Sequence, residues 1–382
     1  MKSPLRVAIV YDRVNSWGGA ERVLLALHKI FPKAPLYTSV YDPSRARWAD
    51  NWDVRPSLLQ SVPWLRSRHQ LIGWLMPWAF RSFNLAEYDV VISVTSEFAK
   101  AVQTSPSQLH LCYLLTPTRY LWSHQTEYLR ELPPIIRVFA KQVMNWLRKI
   151  DQNTAKNPDT IVPISKLVAK RCHQYYGRPA QEPIYPPIPK LAKPTKPKYI
   201  PPADFFFTWG RHVAYKKIDL TIQAAIANRQ FLVVAGRGSK TKCWQKFAQR
   251  LDPDQQYIKF VGQIAESEVA WYLQHAKAAV FPQEEDFGIT AMEAVSQGCP
   301  VIINVHSGAA ELLRPDQDAL FLPKSNIAML RAAMKKAMVA SWSKLDIQRQ
   351  ASQYAEANWQ KTFFDMVNQY WKKHQKQIEG IA

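Results

Sequence analysis

The chain has 382 residues, more than one hydrophobic core usually serves, and its 47% hydrophobic content with 14 tryptophans excludes a largely disordered polymer. The formal charge of +20 favours anionic partners, yet no helix-turn-helix, zinc-finger or aromatic RNA-binding signature accompanies it, so no nucleic-acid partner is expected. No apolar run reaches the roughly 18 residues of a spanning helix and no secretory signal opens the chain, while Cys112, Cys172, Cys243 and Cys299 form no Cys-x-x-Cys pair; a reduced cytoplasmic protein without a disulfide framework or structural zinc is expected.

In chain order, the apolar run Arg6 to Tyr11 reads as a strand, followed by Gly18-Gly19 and a helical pattern from Ala20. Leu36 to Val40, Val90 to Val94, Leu109 to Leu115 and Thr160 to Pro163 repeat the alternation of buried strand and helix. Eight prolines between Pro183 and Pro202 then interrupt any sheet and mark a linker. A second series follows: Phe205 to Trp209, Phe231 to Ala235, Ile258 to Val261, Ala278 to Phe281 and Pro300 to Ile303. The expected organisation is an α/β chain of two doubly wound domains, 1–185 and 204–358, joined by a linker at 186–203. The helical stretch 359–382 has no partner in the domain it follows.

Two acid-free stretches carry aromatic and basic residues together. One, between Asp53 and Glu87, interleaves Arg55, Arg66, Arg68 and Arg81 with Trp64, Trp74, Trp78, Phe80 and Phe83. The other, Leu132 to Ile150, sets Arg137, Lys141, Arg148 and Lys149 beside Ile136, Phe139, Val143, Trp146 and Leu147. Such mixtures suit an anionic membrane surface. They equally suit a core-facing apolar stripe with a solvated basic face, and helical spacing does not separate the two.

The densest chemical signal is Phe281-Pro-Gln-Glu-Glu285-Asp-Phe-Gly288-Ile-Thr-Ala-Met-Glu293. A strand ends, a glycine loop turns, and a helix begins near Ile289, so the N–H groups of a helix start and the positive end of the helix dipole suit a diphosphate. Glu285 and Glu293 suit hydroxyls, because an ionised carboxylate accepts two hydrogen bonds from a vicinal diol. After the strand ending at Trp209, Arg211 and Lys216 stand where open α/β sheets bind ligands, and together they can neutralise a leaving pyrophosphate without a metal ion. Gly18-Gly19 is not a Gly-x-Gly-x-x-Gly dinucleotide loop, but its small residues permit close backbone approach to a phosphate or sugar. Thr118 and Arg119 follow another strand and offer a hydroxyl and a cation.

At these residues the chain resembles the retaining glycosyltransferases of family 4, which have the GT-B fold. The marks are Glu285-x7-Glu293 within Glu-Asp-Phe-Gly…Glu-Ala…Gly-Cys-Pro-Val, Gly-Arg-x4-Lys at Arg211 and Lys216, the Gly18-Gly19-Ala-Glu loop, and Ile164-Ser165…Tyr176-Gly…Tyr185-Pro-Pro. The resemblance implies two Rossmann-like domains facing a cleft, the acceptor on the first, the nucleotide sugar mostly on the second, and the terminal helix crossing back to the first. It also implies that Arg211 and Lys216 bind the donor diphosphate, Glu293 the ribose and Glu285 the transferred sugar, with backbone N–H groups around Phe287, Gly288 and Ile289 completing the cradle and with no metal or cofactor. Many family members place a histidine where this chain reads Thr116-Pro-Thr118-Arg119, which leaves Thr118 and Arg119 as the acceptor-side candidates. Tyr11-Asp-Arg-Val-Asn-Ser-Trp-Gly-Gly, Leu115-Thr-Pro-Thr-Arg-Tyr-Leu-Trp and Tyr215-Lys-Lys-Ile-Asp-Leu resemble the GDP-mannose mannosyltransferases of surface-polysaccharide assembly. The implied acceptor is a glycan hydroxyl, free or carried on a polyprenyl diphosphate. The resemblance leaves open same-face attack or a covalent intermediate, and also a GT-B-shaped protein that binds a nucleotide sugar without turning it over.

Overall fold

The computed structural model of the protein describes residues 5–62, 73–130, 132–202 and 204–380. Trp64, Arg66 and Arg68 lie outside these described residues. Contacts divide the chain into one unit of residues 1–187 with 359–382 and another of 188–358.

The first unit holds six strands, β1 (Val7–Tyr11), β2 (Leu36–Thr38), β3 (Val54–Pro56), β4 (Val90–Thr95), β5 (Leu109–Leu114) and β6 (Thr160–Pro163). Their order across the sheet is β3-β2-β1-β4-β5-β6, and every neighbouring pair is parallel. Parallel strands need crossover connections, which cover both faces and explain why β1, β4 and β5 are buried at every position. The second unit repeats the plan with β7 (Phe205–Trp209), β8 (Phe231–Ala235), β9 (Ile258–Gly262), β10 (Ala278–Phe281), β11 (Val301–Asn304) and β12 (Ala319–Leu322), in the order β12-β11-β10-β7-β8-β9, again all parallel. Its core joins Phe206, Val234, Val280 and Ile302 from the sheet to Ile222 and Met334 from the covering helices.

Each sheet has one strand more than the sequence patterns indicate. The two extra strands, β3 and β12, are edge strands of three and four residues. β3 (Val-Arg-Pro) is three residues long and nowhere fully buried, so it shows no apolar run, and Pro56 is tolerated there because no further strand needs its missing N–H, whereas β12 (Ala-Leu-Phe-Leu) is apolar and mostly buried and differs from a central strand only in its shortness.

The final helix, Glu356–Glu379, buries Trp359, Phe363 and Val367, four residues apart along one face. Those rings meet Tyr113 of β5 at centroid distances of 6.1 and 5.5 Å, and Phe364 meets Phe31 at 6.2 Å. The helix therefore completes the first unit's apolar interior although it follows the second unit in sequence.

Candidate active site

In the second sheet β7 and β10 lie side by side, with β8 continuing on one flank and β11 on the other. The loops leaving these two strands turn in opposite directions, which opens a crevice at their carboxyl ends, the place where open α/β sheets hold ligands. The loop after β7 carries Arg211 and Lys216; the loop after β10 carries Glu285.

The first loop is fixed by His212, which is fully buried. Its Nδ1 lies 2.9 Å from Thr241 Oγ1 and its Nε2 3.2 Å from the Ala235 carbonyl. Its backbone N–H donates to the Arg237 carbonyl at 3.1 Å, and the Lys240 N–H donates to the His212 carbonyl at 2.9 Å. Burial lowers the imidazole pKa. The loop after β7 comes so close to the loop after β8 that a Cβ on Gly236, whose φ is +108°, would stand 2.0 Å from the Gly210 carbonyl oxygen. Only glycine fits there. Arg211 is thus anchored through its neighbour while its own side chain is exposed and makes no hydrogen bond or ion pair among the described residues.

The Lys216 ammonium donates to Glu285 Oε1, which also accepts from Gln283 Nε2 at 2.8 Å. The pair bridges the crevice with side chains only 11% and 14% exposed, so water screens it weakly. Glu285 is braced from beneath: its N–H donates to Ser307 Oγ at 3.1 Å, the Ser307 hydroxyl donates to the Gln283 carbonyl at 3.0 Å, and the Gly308 N–H donates to the Glu285 carbonyl at 3.0 Å. Gly288, at φ +99°, begins the helix Ile289–Ser296. The N–H groups of Gly288, Ile289 and Thr290 find no protein acceptor among the described residues, as expected of a helix start. Glu293 lies in that helix, buried with 4% exposure, and Phe287 is buried beside the turn at 5%.

The structure therefore joins Lys216 directly to Glu285 and leaves Arg211 open. His212, Gln283 and Ser307 escaped the sequence reading. Gly236-Arg-Gly238 directly after β8 was a visible signal for a close-approach loop, whereas nothing in the local sequence ties Ser307 to Glu285.

The first unit has the same reversal between β1 and β4. Asp12, 1% exposed, accepts hydrogen bonds from the Ser96, Glu97, Phe98 and Ala99 N–H groups at 2.6 to 3.0 Å and from Thr95 Oγ1 at 2.8 Å. Arg13 pairs with Glu97. Gly18 and Gly19 are half-buried at the start of the helix Gly19–Ile30. A Cβ on Gly18 would come 3.2 Å from Glu21 Oε2. The Glu21 carboxyl accepts from the Tyr11 hydroxyl at 2.9 Å, and burial raises its pKa.

Thr118 is fully buried, with its hydroxyl 3.3 Å from the Glu97 carbonyl and 3.2 Å from Asp151 Oδ1. It braces the loop from inside, and of the two acceptor-side candidates only Arg119 is part-exposed. Asp151 also accepts from Lys100 Nζ at 2.6 Å, Trp122 Nε1 at 2.7 Å and the Tyr176 hydroxyl at 3.1 Å. A fully buried acid at the end of an amphipathic helix had no local signature announcing this network.

Residues 193–357 match the family described as "Glycosyl transferases group 1", a span that contains Arg211, Lys216, Glu285 and Glu293. No curated protein matches the chain by sequence. Among solved structures, Anabaena HepE in complex with UDP superposes with a TM-score of 0.68 at 15% identity, covering 96% of this chain and 100% of its own. The lipopolysaccharide outer core galactosyltransferase WaaB gives 0.66 at 16% identity, with 96% and 100% covered. Sucrose-phosphate synthase from Thermosynechococcus elongatus gives 0.67 at 15%, also with 96% and 100% covered. At these identities the likeness is one of fold, and the fold is GT-B.

Proposed function

We propose that the chain is a retaining hexosyltransferase of glycosyltransferase family 4, which takes mannose from GDP-mannose and passes it to a glycan hydroxyl, free or carried on a polyprenyl diphosphate lipid. One observation carries the reading: Lys216 from the loop after β7 meets Glu285 from the loop after β10 where the strand order of the second sheet reverses. The family match spans both loops, and HepE, of the same fold, was solved with UDP and with UDP-glucose, which supports a nucleoside diphosphate sugar as the donor class. Guanosine and mannose rest on the resemblance of Tyr215-Lys-Lys-Ile-Asp-Leu and Leu115-Thr-Pro-Thr-Arg-Tyr-Leu-Trp to mannosyltransferases.

On this reading the donor diphosphate draws Lys216 away from Glu285 and takes Arg211 and the N–H groups at Phe287, Gly288 and Ile289 as further partners. Glu285 then accepts from hydroxyls of the transferred sugar, and Glu293 from the ribose. Gly18 and Gly19 admit the donor to the first unit, and Arg119 serves the acceptor. When the bond from the anomeric carbon to the diphosphate breaks, negative charge grows on the leaving group, where two preorganised cations stabilise it most. They supply the charge a divalent ion would otherwise bring. The acceptor oxygen bonds to the anomeric carbon and one proton is released.

The test is thermal stabilisation and donor consumption with GDP-mannose, UDP-glucose and UDP-galactose, with and without a glycan acceptor. GDP-mannose is expected to stabilise the protein and to be consumed. Glu285→Ala and Arg211→Ala are expected to lose about 10²- to 10³-fold in rate, Arg211→Ala at an unchanged unfolding temperature and Glu285→Ala, which leaves Lys216 unpaired, at a somewhat lower one but still folded at the assay temperature. Undiminished transfer by either variant ends the assignment. Binding without product after long incubation makes the chain a nucleotide-sugar binding protein instead.

A further inference from the structure

The helix Pro134–Thr154 carries apolar side chains on its outer side as well as on the side it packs against the protein. It has 21 residues and is roughly 31 Å long. Leu147, Asp151 and Thr154 are buried, and Val143, Met144 and Ile150 pack against the first unit's core. On its outer side Ile135, Val138, Phe139 and Trp146 follow one another at i, i+3, i+4 and i+11, a single helical stripe. They are 91%, 67%, 68% and 45% exposed. In a globular domain the apolar stripe is the one that faces inward, and contiguous exposed apolar surface marks an interaction site.

The stripe does not end with its own helix. Trp78, from the helix Met76–Arg81, is 44% exposed and stacks on Trp146 with centroids 5.6 Å apart and ring planes 26° apart. Trp74, four residues earlier in the chain, is 49% exposed. Trp78 and Trp146, 68 residues apart in the chain, therefore join described parts of the two acid-free stretches in one surface. Exposed Arg81, Arg137, Lys141 and Lys149 belong to the same stretches, and neither stretch supplies an acid to neutralise them.

We infer that this surface docks the protein on a bilayer containing anionic lipid, with the helix Pro134–Thr154 lying in the headgroup plane and Ile135, Val138 and Phe139 entering the acyl boundary. The inference stands apart from the donor reading. Tryptophan favours the headgroup boundary, lysine and arginine reach anionic headgroups while their stems cover apolar surface, and the absence of acids avoids repulsion. A protein partner fits less well, because lysine is depleted from the centres of protein interfaces. Among the described residues no helix is long and apolar enough to cross a membrane, so the contact is with one face of the bilayer.

The test is sedimentation of the full chain with vesicles of phosphatidylcholine alone and of equal phosphatidylcholine and phosphatidylglycerol. Pelleting is expected with the anionic vesicles and is expected to fall as salt is raised. Val138→Ser with Phe139→Ser is expected to weaken it at least tenfold, and Lys141→Gln about fivefold, at unchanged unfolding temperature, because these side chains touch solvent and not the core. Equal pelleting of the serine variant, or no pelleting on anionic vesicles at low salt, overturns the inference. So does a concentration-dependent dimer in light scattering that the serine variant abolishes, since the face would then be a seam between two copies of the chain.

Discussion

Replacing Glu285 by glutamine separates the two duties of the Lys216–Glu285 pair. The pair is 11% and 14% exposed. Opposite charges about 4 Å apart in an effective dielectric near 20 attract by about 4 kcal/mol. Desolvation and the hydrogen bond that Glu285 Oε1 already accepts from Gln283 offset most of this, leaving a net value on the order of 1.5 kcal/mol, at the low end for hydrogen bonds to charged groups. A diphosphate that recruits Lys216 must first overcome that amount. Glu285→Gln removes the competing charge but keeps the shape and one acceptor oxygen, so GDP without its sugar is expected to bind about tenfold more tightly. Transfer is expected to fall about 10²- to 10³-fold, because the carboxylate that would hold the sugar hydroxyls is gone. Calorimetric titration with GDP and a transfer assay on the same preparation read both effects. Folded Glu285→Gln protein that binds GDP no better than the native chain would show that Lys216 does not trade its carboxylate for a diphosphate, and the reasoning about this crevice would fail.

The first unit offers two further tests. Lys100→Met removes the cation from Asp151, whose side chain is 0% exposed, and an uncompensated buried charge is expected to cost about 3–5 kcal/mol in denaturant unfolding; adding Asp151→Asn should recover part of that, and no recovery would mean the loss comes from packing. Burial, reinforced by Arg178, pushes the His110 imidazole down to about 3 from its ordinary 6.5, so below pH 6.5 the unfolded chain takes up a proton that the folded one refuses. Its contribution is fully present above pH 6.5 and is lost at about 1.4 kcal/mol per pH unit between 6.5 and 3. His110→Gln should flatten the stability profile by that slope, and an unchanged profile would refute the assignment.

The sequence by itself determined the alternation of strand and helix, two doubly wound units, and the loops that bear Arg211, Lys216 and Glu285. Those are local matters: buried parallel strands must be apolar throughout, and a helix start after a glycine turn leaves the same open N–H groups wherever it occurs. Tertiary structure alone decided what the loops meet. Lys216 and Glu285 are 69 residues apart, and only the pairing of β7 with β10 makes them neighbours. The edge strands β3 and β12, Ser307 beneath Glu285, His212 between two loops, and the Lys100–Asp151 pair were illegible for the same reason, since each depends on contacts between segments distant in the chain. The two tryptophan-bearing stretches show the limit most plainly. Helical spacing revealed an apolar stripe in the segment 134–154, but a stripe has the same period whether it faces the core or the solvent. The packing divides its residues, with Val143 and Leu147 inward and Ile136, Phe139 and Trp146 outside, where Trp146 stacks on Trp78.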